Sequence, residues 1–350
     1  MPNDRDSTRL LVADLAATSR NWSLTPEARR RIEANVPRGW RVYFVGAPTV
    51  SDGDGGHGAS AEVLDQMAAA DAYFGFGLAK DVFTAGKRLK WVHSAAAGVG
   101  SALFPEMVAS NVILTNGAGI YATPIAQHVL GGVLYFLRSF DVAVDLQRAA
   151  TWDKEPFVGD RSEVRELADC NVLVIGSGGL GSAIASAMSR FGARCVGVRR
   201  HPDRPLPDGF ERVVGSDQID AELPNADIVV LSTPATAETR ELLDARRIGL
   251  LRREAIVVNV GRGSLLDEVA LGSALADDRI RGAVLDVFTT EPLAADSPLW
   301  KLRNVLITPH VSGVSPSRYW PRQLELFLDN WARFAEGRPM RNVVDKTAGY

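Results

Sequence analysis

The sequence predicts an α/β protein built on doubly wound parallel sheets. Three observations carry this. Short apolar runs of strand type alternate with helical stretches from Leu10 to beyond Val305. One such run passes straight into a glycine turn and a helix at residues 172–192. There are 32 glycines, enough for many strand–helix turns, in a chain that is 46% hydrophobic and 23% charged. At ~100–200 residues per domain, a length of 350 residues implies two domains.

In the first hundred residues, Leu10-Leu11-Val12-Ala13 reads as a strand. Thr25-Pro26-Glu27 then opens a helix, with Thr25 as cap and Pro26 in the first turn. Residues 40–45 form a second strand, and residues 51–60, rich in glycine and aspartate, a surface loop. A helix over 62–70 and strands over 72–76 and 89–93 follow, with a short helix between the strands. Residues 123–147 read as one long, very apolar helix, which should be buried on most sides. The polar stretch 151–165 reads as a connecting loop. A second α/β pattern runs from Asn171 to about Pro309, then an amphipathic helix over 317–334.

Charge and cysteine content exclude several classes of function. Lys and Arg total 39 against 42 Asp and Glu, for a net charge of -3. That leaves no basic excess to neutralise a run of phosphates, so nucleic-acid binding is disfavoured. The two cysteines, Cys170 and Cys195, cannot make a disulfide framework. No basic stretch followed by a signal-length apolar run opens the sequence. The longest apolar run, residues 129–137, is far short of a membrane span and is followed by Arg138. The expectation is a cytoplasmic, soluble protein that uses no metal.

The window 171–200 is the most informative. Val172-Leu173-Val174-Ile175 is a buried strand, and Gly176-Ser177-Gly178-Gly179-Leu180-Gly181 follows at once. Leu180, Ile184, Ala187, Met188 and Phe191 then fall on one helical face. Gly192 stops the helix before the next strand, Cys195 to Val198. This is GxGxxG in the setting of a dinucleotide-binding turn. Gly176 permits the tight turn, Gly178 the approach of a pyrophosphate, and Gly181 close helix packing. The helix N-terminus, at Gly179 and Leu180, offers free N–H groups and partial positive charge to phosphate. Eighteen residues past Gly181, where an acidic residue would read the ribose of NAD, stand Arg199 and Arg200. Two guanidinium groups suit a 2′-phosphate, so NADP(H) is favoured, with NAD(H) possible.

Three further blocks each end a predicted strand in a polar residue. They are Asn259-Val260-Gly261-Arg262-Gly263, then Leu285-Asp286-Val287-Phe288 with Glu291-Pro292, then Thr308-Pro309-His310. The carboxyl edge of parallel strands is where open α/β sheets bind ligands. An arginine there can hold a carboxylate, a histidine can exchange a proton near neutral pH, and a glutamate can orient that histidine.

Together with Leu89-Lys90-Trp91-Val92, Ala97-Gly98-Val99, Leu114-Thr115-Asn116, Pro124-Ile125-Ala126-Gln127-His128 and Ser232-Thr233-Pro234, these blocks resemble the D-isomer-specific 2-hydroxyacid dehydrogenase family. In its cofactor motif the chain is similar to the NADP-preferring glyoxylate/hydroxypyruvate reductases. The resemblance implies a Rossmann cofactor domain, residues 119–317, inserted in a flavodoxin-like substrate domain, residues 1–118 and 318–350. It implies that Arg262 binds the substrate carboxylate and keto oxygen, that His310 is the general acid or base, and that Glu291 pairs with it. Backbone N–H groups of Ala97, Gly98 and Val99 would receive the carboxylate. Ser232, Thr233 and Pro234 would line the adenosine side, Val260 and Gly261 would lie near the nicotinamide, and Asp286 would hold its carboxamide. A homodimer is also implied.

The function expected is hydride transfer between NADP(H) and a small 2-keto or D-2-hydroxy acid. Two other readings stay open: an NAD-linked dehydrogenase working oxidatively, and a dinucleotide-sensing protein without catalysis. Departures from the family bear on specificity. Gly100 stands where many members carry aspartate after the substrate loop, and Gln127 replaces a common glutamate.

Overall fold

The strands form where β-branched and aromatic residues alternate with turn chemistry, and they pair into two wholly parallel sheets. The computed structural model describes residues 8–17, 22–47 and 59–349. Of the loop expected at 51–60, residues 51–58 lie outside these. The chain divides into two compact units, residues 1–121 with 315–350, and residues 122–314.

The first unit carries β1 (Arg9–Asp14), β2 (Trp40–Phe44), β3 (Ala72–Gly75), β4 (Trp91–Ser94) and β5 (Ile113–Asn116), in the order β2-β1-β3-β4-β5. This is the flavodoxin-type order. β1, β3, β4 and β5 are buried on both faces, as a sheet covered by helices on each side requires, while the edge strand β2 is only partly buried. Helix Pro26–Glu33 starts as its sequence asks: Thr25 Oγ1 accepts from the Ala28 N–H at 3.1 Å, and Pro26 opens the first turn.

The chain returns to this unit through helix Tyr319–Ala335, whose apolar face packs on the sheet. Phe327 stacks on Phe74 at 3.9 Å between centroids. Gln323 meets the buried His93, nitrogen to nitrogen, at 3.0 Å. The tail then pairs with the free edge of β5, through Asn116 N–H to Asn342 O at 3.2 Å and Val344 N–H to Leu114 O at 2.8 Å.

The second unit carries β6 (Asn171–Ile175), β7 (Arg194–Val198), β8 (Arg212–Val214), β9 (Ile228–Leu231), β10 (Ile256–Asn259), β11 (Gly282–Leu285) and β12 (Val305–Ile307). Their order is β12-β11-β10-β9-β6-β7-β8. Successive strands run outward one way from β6 to β8 and the other way from β9 to β12. The order therefore reverses between β6 and β9, the point where such sheets open a crevice for ligands.

Two local expectations need correction. The helix expected over 123–147 is two helices, Ala122–Leu137 and Phe140–Arg148, broken at Ser139, which is buried and takes φ +52°. The first is buried along Ala126, Val129, Val133 and Phe136, and the second has no buried residue. The helix after the glycine turn ends at Ser189, so Phe191 falls outside it and is 57% exposed. Gly192, at φ +89°, turns the chain beyond that end. Both cysteines are free and buried, and burial pushes their thiols up to about 11 at Cys170 and about 12 at Cys195. Among the described residues no helix is long and apolar enough to cross a membrane.

Candidate active site

At the reversal point the glycine turn leaves β6 and faces the end of β9. Gly176 has φ +106°, and a Cβ there would lie 2.9 Å from the Ser232 carbonyl carbon and the Thr233 nitrogen. Only glycine fits both constraints. Gly181 is more tightly held: a Cβ would sit 1.8 Å from the Gly176 oxygen. By contrast, a Cβ on Gly178 or Gly179 would meet nothing within 4 Å. These two positions are open toward the N-terminus of helix Gly179–Ser189, where N–H groups are unspent. The Ser232 hydroxyl donates to Gly176 O at 3.0 Å, so it braces the turn, while Thr233 and Pro234 continue outward beside it. Ser177, inside the turn, is buried, and its hydroxyl has no partner among the described residues.

At the end of β7 the two arginines part company. The Arg199 guanidinium turns onto the chain itself, donating through Nη2 to the carbonyls of Pro202 at 3.3 Å, Pro205 at 3.1 Å and Arg204. Arg200 is exposed, and its Nη2 lies 2.9 Å from Glu238 Oε2. Arg199 thus shapes the loop after β7, and Arg200 is the cation presented at its surface.

The three strand-end blocks follow the adjacent strands β10, β11 and β12. After β10, the buried side chain of Asn259 clasps its own turn: Oδ1 accepts from Gly261 N–H at 3.1 Å and Nδ2 donates to Arg262 O at 3.0 Å. Val260 and Gly261 are buried in this turn, and a Cβ on Gly261 would lie 2.6 Å from Leu265 Cδ1. Arg262 is half-buried, and its Nη1 donates to Gly261 O at 2.7 Å. A Cβ on Gly263 would lie 1.8 Å from the Phe288 carbonyl carbon. The Arg262 turn is therefore seated directly on the backbone that leads to Glu291.

Glu291 accepts from Phe288 N–H through Oε1 at 2.9 Å, and its Oε2 lies 2.8 Å from His310 Nδ1. With Nδ1 engaged, Nε2 is the imidazole nitrogen left for proton exchange. The two side chains are 36% and 38% exposed, so the pair borders solvent.

Asp286 is fully buried beneath the same turn. Its carboxylate accepts from Thr308 Oγ1 at 2.6 Å and from the N–H groups of Val311 at 2.8 Å and Ser312 at 3.0 Å. Burial pushes this carboxyl up, but the hydrogen bonds from Ser312, Thr308 and Val311 outweigh it and hold it below its ordinary value. Three of the protein's own donors thus engage this carboxylate, and Oδ2, which accepts from Ser312 N–H, has acceptor capacity left.

Ala97, Gly98 and Val99 belong to the first unit, after the end of β4. Asn116 Nδ2 donates to Ala97 O at 2.8 Å and steadies this loop. The motifs do not mark Asn259, Ser177, Thr308 or His128 as functional residues, although all four lie within the blocks named above. The available signal was a polar residue at the end of, or just beyond, a buried strand. For His128 it was a polar residue on an apolar helix.

A family model for the D-isomer specific 2-hydroxyacid dehydrogenase NAD binding domain matches residues 130–312. The chain belongs to the D-isomer specific 2-hydroxyacid dehydrogenase family. It is 32% identical over 278 residues to glyoxylate/hydroxypyruvate reductase A of Escherichia fergusonii, covering 76% of this chain and 83% of that one. Among solved structures it is similar to the D-isomer specific 2-hydroxyacid dehydrogenase of Xanthobacter autotrophicus in complex with NADPH and MES. That match has TM-score 0.76 and 29% identity over 98% of this chain and 100% of that one. It is also similar to the NADPH-dependent glyoxylate/hydroxypyruvate reductase of Sinorhizobium meliloti in complex with NADP and sulfate. There the TM-score is 0.77 and the identity 26%, over 98% and 100% of the two chains.

Proposed function

We propose that this member of the family is an NADPH-dependent reductase of small 2-keto acids, of the glyoxylate/hydroxypyruvate type, reversible as a D-2-hydroxyacid dehydrogenase. The observation that carries the reading is the Glu291–His310 pair at 2.8 Å, set on strand ends next to the turn that bears Arg262. The open Gly178 and Gly179, the unpartnered Ser177 hydroxyl and the helix N-terminus fit the phosphates of a dinucleotide. Arg200 is the cation that fits a 2′-phosphate, with Arg199 supporting its loop.

When bound, the nicotinamide supplies or accepts hydride at the substrate's C2. Arg262 holds the substrate carboxylate and polarises the keto oxygen. His310, with Nδ1 held by Glu291, delivers the proton from Nε2 to that oxygen and takes it back in oxidation. Asp286 braces the His310 turn and keeps acceptor capacity for the carboxamide contact that the resemblance implies.

A cytoplasmic homodimer is part of the proposal. The helix Phe140–Arg148 has no buried residue, and Phe140, Trp152 and Val158 are 52%, 91% and 75% exposed, an apolar surface that suits a second copy. The test of function is a panel of glyoxylate, hydroxypyruvate, pyruvate and phenylpyruvate against NADPH and NADH, followed by loss of reduced cofactor. Turnover with NADPH and one or more small keto acids is expected. Binding of NADPH without turnover of any of them would point to the sensing role instead.

A further inference from the structure

Beneath the His310 turn lies a chain of polar groups whose hydrogen bonds to one another have no part in the proposed chemistry. All of it belongs to the second unit. His128, on helix Ala122–Leu137, has Nε2 at 3.2 Å from Thr308 Oγ1. The Thr308 hydroxyl has one proton, and it donates this to Asp286 Oδ1 at 2.6 Å. An ionised carboxylate only accepts, so toward His128 the threonine oxygen must accept and His128 must donate from Nε2. The polarity of the chain is therefore fixed from end to end, running from His128 through Thr308 to Asp286.

Asp286 then holds three successive amides. His310 N–H donates to its main-chain oxygen at 2.8 Å, Val311 N–H to Oδ1 at 2.8 Å and Ser312 N–H to Oδ2 at 3.0 Å. His310 lies at the head of this run with φ +53°. A left-handed backbone strains a non-glycine residue and persists only where its surroundings fix it. Besides Glu291 on the ring and Thr308 O, which takes the His310 N–H at 3.1 Å, the surroundings that fix this turn are the hydrogen bonds of one buried residue, Asp286, itself oriented by the Thr308 hydroxyl.

We infer that His128, Thr308 and Asp286 form a positioning relay that holds His310 in its left-handed backbone and so aims the imidazole at the substrate. The inference rests on the proposed role of His310 as proton donor. None of the three touches the reacting atoms. They act through the geometry of the turn, where displacement by ~1 Å can cost about 10²-fold in rate.

The experiment compares Thr308→Val, which keeps the shape and removes the hydroxyl, with Thr308→Ser, which restores it. Two readouts are taken on each folded protein: hydrogen exchange of the 310–312 amides, and kcat against KM with NADPH and glyoxylate. Thr308→Val should speed exchange at these amides about tenfold or more and lower kcat roughly 10- to 100-fold. Glyoxylate KM and NADPH Kd should stay within about twofold, because the relay acts on aim and not on binding. Thr308→Ser should recover both readouts. His128→Ala should lower kcat in the same manner, and combined with Thr308→Val should add little, since the two share one path.

Unchanged amide exchange in Thr308→Val would overturn the relay, whatever the wild type catalyses. Faster exchange with unchanged kcat would also overturn it, by showing that the turn does not aim His310. A loss confined to NADPH Kd would do the same, by making the cluster a cofactor contact. If the wild type turns over no keto acid while exchange still responds, the functional reading falls and the relay stands as the support of the turn.

Discussion

The carboxylate of Glu291 is shared between its own loop and His310: Oε1 accepts from Phe288 N–H at 2.9 Å, and Oε2 meets His310 Nδ1 at 2.8 Å. One oxygen fixes where the carboxylate stands, and the other fixes which imidazole nitrogen is free. Glu291→Gln keeps the size of the side chain and removes its charge. Without the carboxylate the imidazole loses the partner that fixes its orientation, so kcat for reduction should fall roughly 10- to 100-fold while NADPH Kd stays within about twofold. A kcat within about twofold of the wild type, with chemistry rate-limiting, would remove Glu291 from this role.

Arg262→Ala should cost roughly 10²-fold or more in kcat/KM for keto acids, through loss of a charge-assisted contact to the carboxylate. The NADPH Kd should change little. Arg262→Lys should recover only part of the loss, because an ammonium cannot offer the guanidinium's planar fork. Steady-state kinetics with independent cofactor titration separate these outcomes. Near wild-type efficiency in the alanine variant would exclude Arg262 from the substrate site.

Cofactor preference should turn on Arg200 more than on Arg199. Arg200→Ala should lose about 10- to 100-fold in NADPH efficiency and little with NADH, since the 2′-phosphate is all that distinguishes the two. Arg199 commits its Nη2 to the carbonyls of Pro202, Arg204 and Pro205. Its replacement by alanine should therefore weaken both cofactors alike by loosening that loop. The ratio of kcat/KM values for the two cofactors checks this, and a collapse of NADPH preference in Arg199→Ala alone would reverse the assignment.

His93 should make the protein sensitive to acid. It is fully buried between Thr115, 2.8 Å from Nδ1, and Gln323, and burial pushes its imidazole down from 6.5 to about 3. Between those two values the unfolded chain binds a proton that the folded chain does not. Stability from this group is thus full above about pH 6.5 and falls as pH drops toward 3, by up to about 1.4 kcal/mol per pH unit. Urea midpoints at pH 7.5 and pH 5 should show the loss, and His93→Gln should flatten it. Equal pH dependence in wild type and variant would contradict the assignment.

Much of this was legible in the sequence because its signals are local. The glycine turn needs glycine at Gly176 and Gly181 for reasons of contact and φ, and the spacing shows it. Arg262, Glu291 and His310 announce themselves as polar residues just beyond apolar strands. What the sequence hid depends on partners far along the chain. The break at Ser139 is a backbone conformation that its apolar flanks do not signal. Asp286 reads as a cofactor ligand, and its second task, accepting from Thr308, Val311 and Ser312, shows only when the turn after β12 is seen to fold over it. Arg199 looks like the equal of Arg200 until the loop after it curls back beneath its guanidinium. The return of the chain to the first sheet rests on pairing between Leu114 and Val344, which no local pattern encodes.

The most direct test of the central claim is the rate of NADPH-dependent glyoxylate reduction by His310→Ala against the wild type, with NADPH binding measured on both. The expected result is equal NADPH affinity and a kcat lower by roughly 10²- to 10⁴-fold, the share that a positioned general acid contributes. A variant that binds NADPH and keeps more than about a tenth of the wild-type kcat, against the 10²-fold or greater loss expected of a general acid, would contradict it.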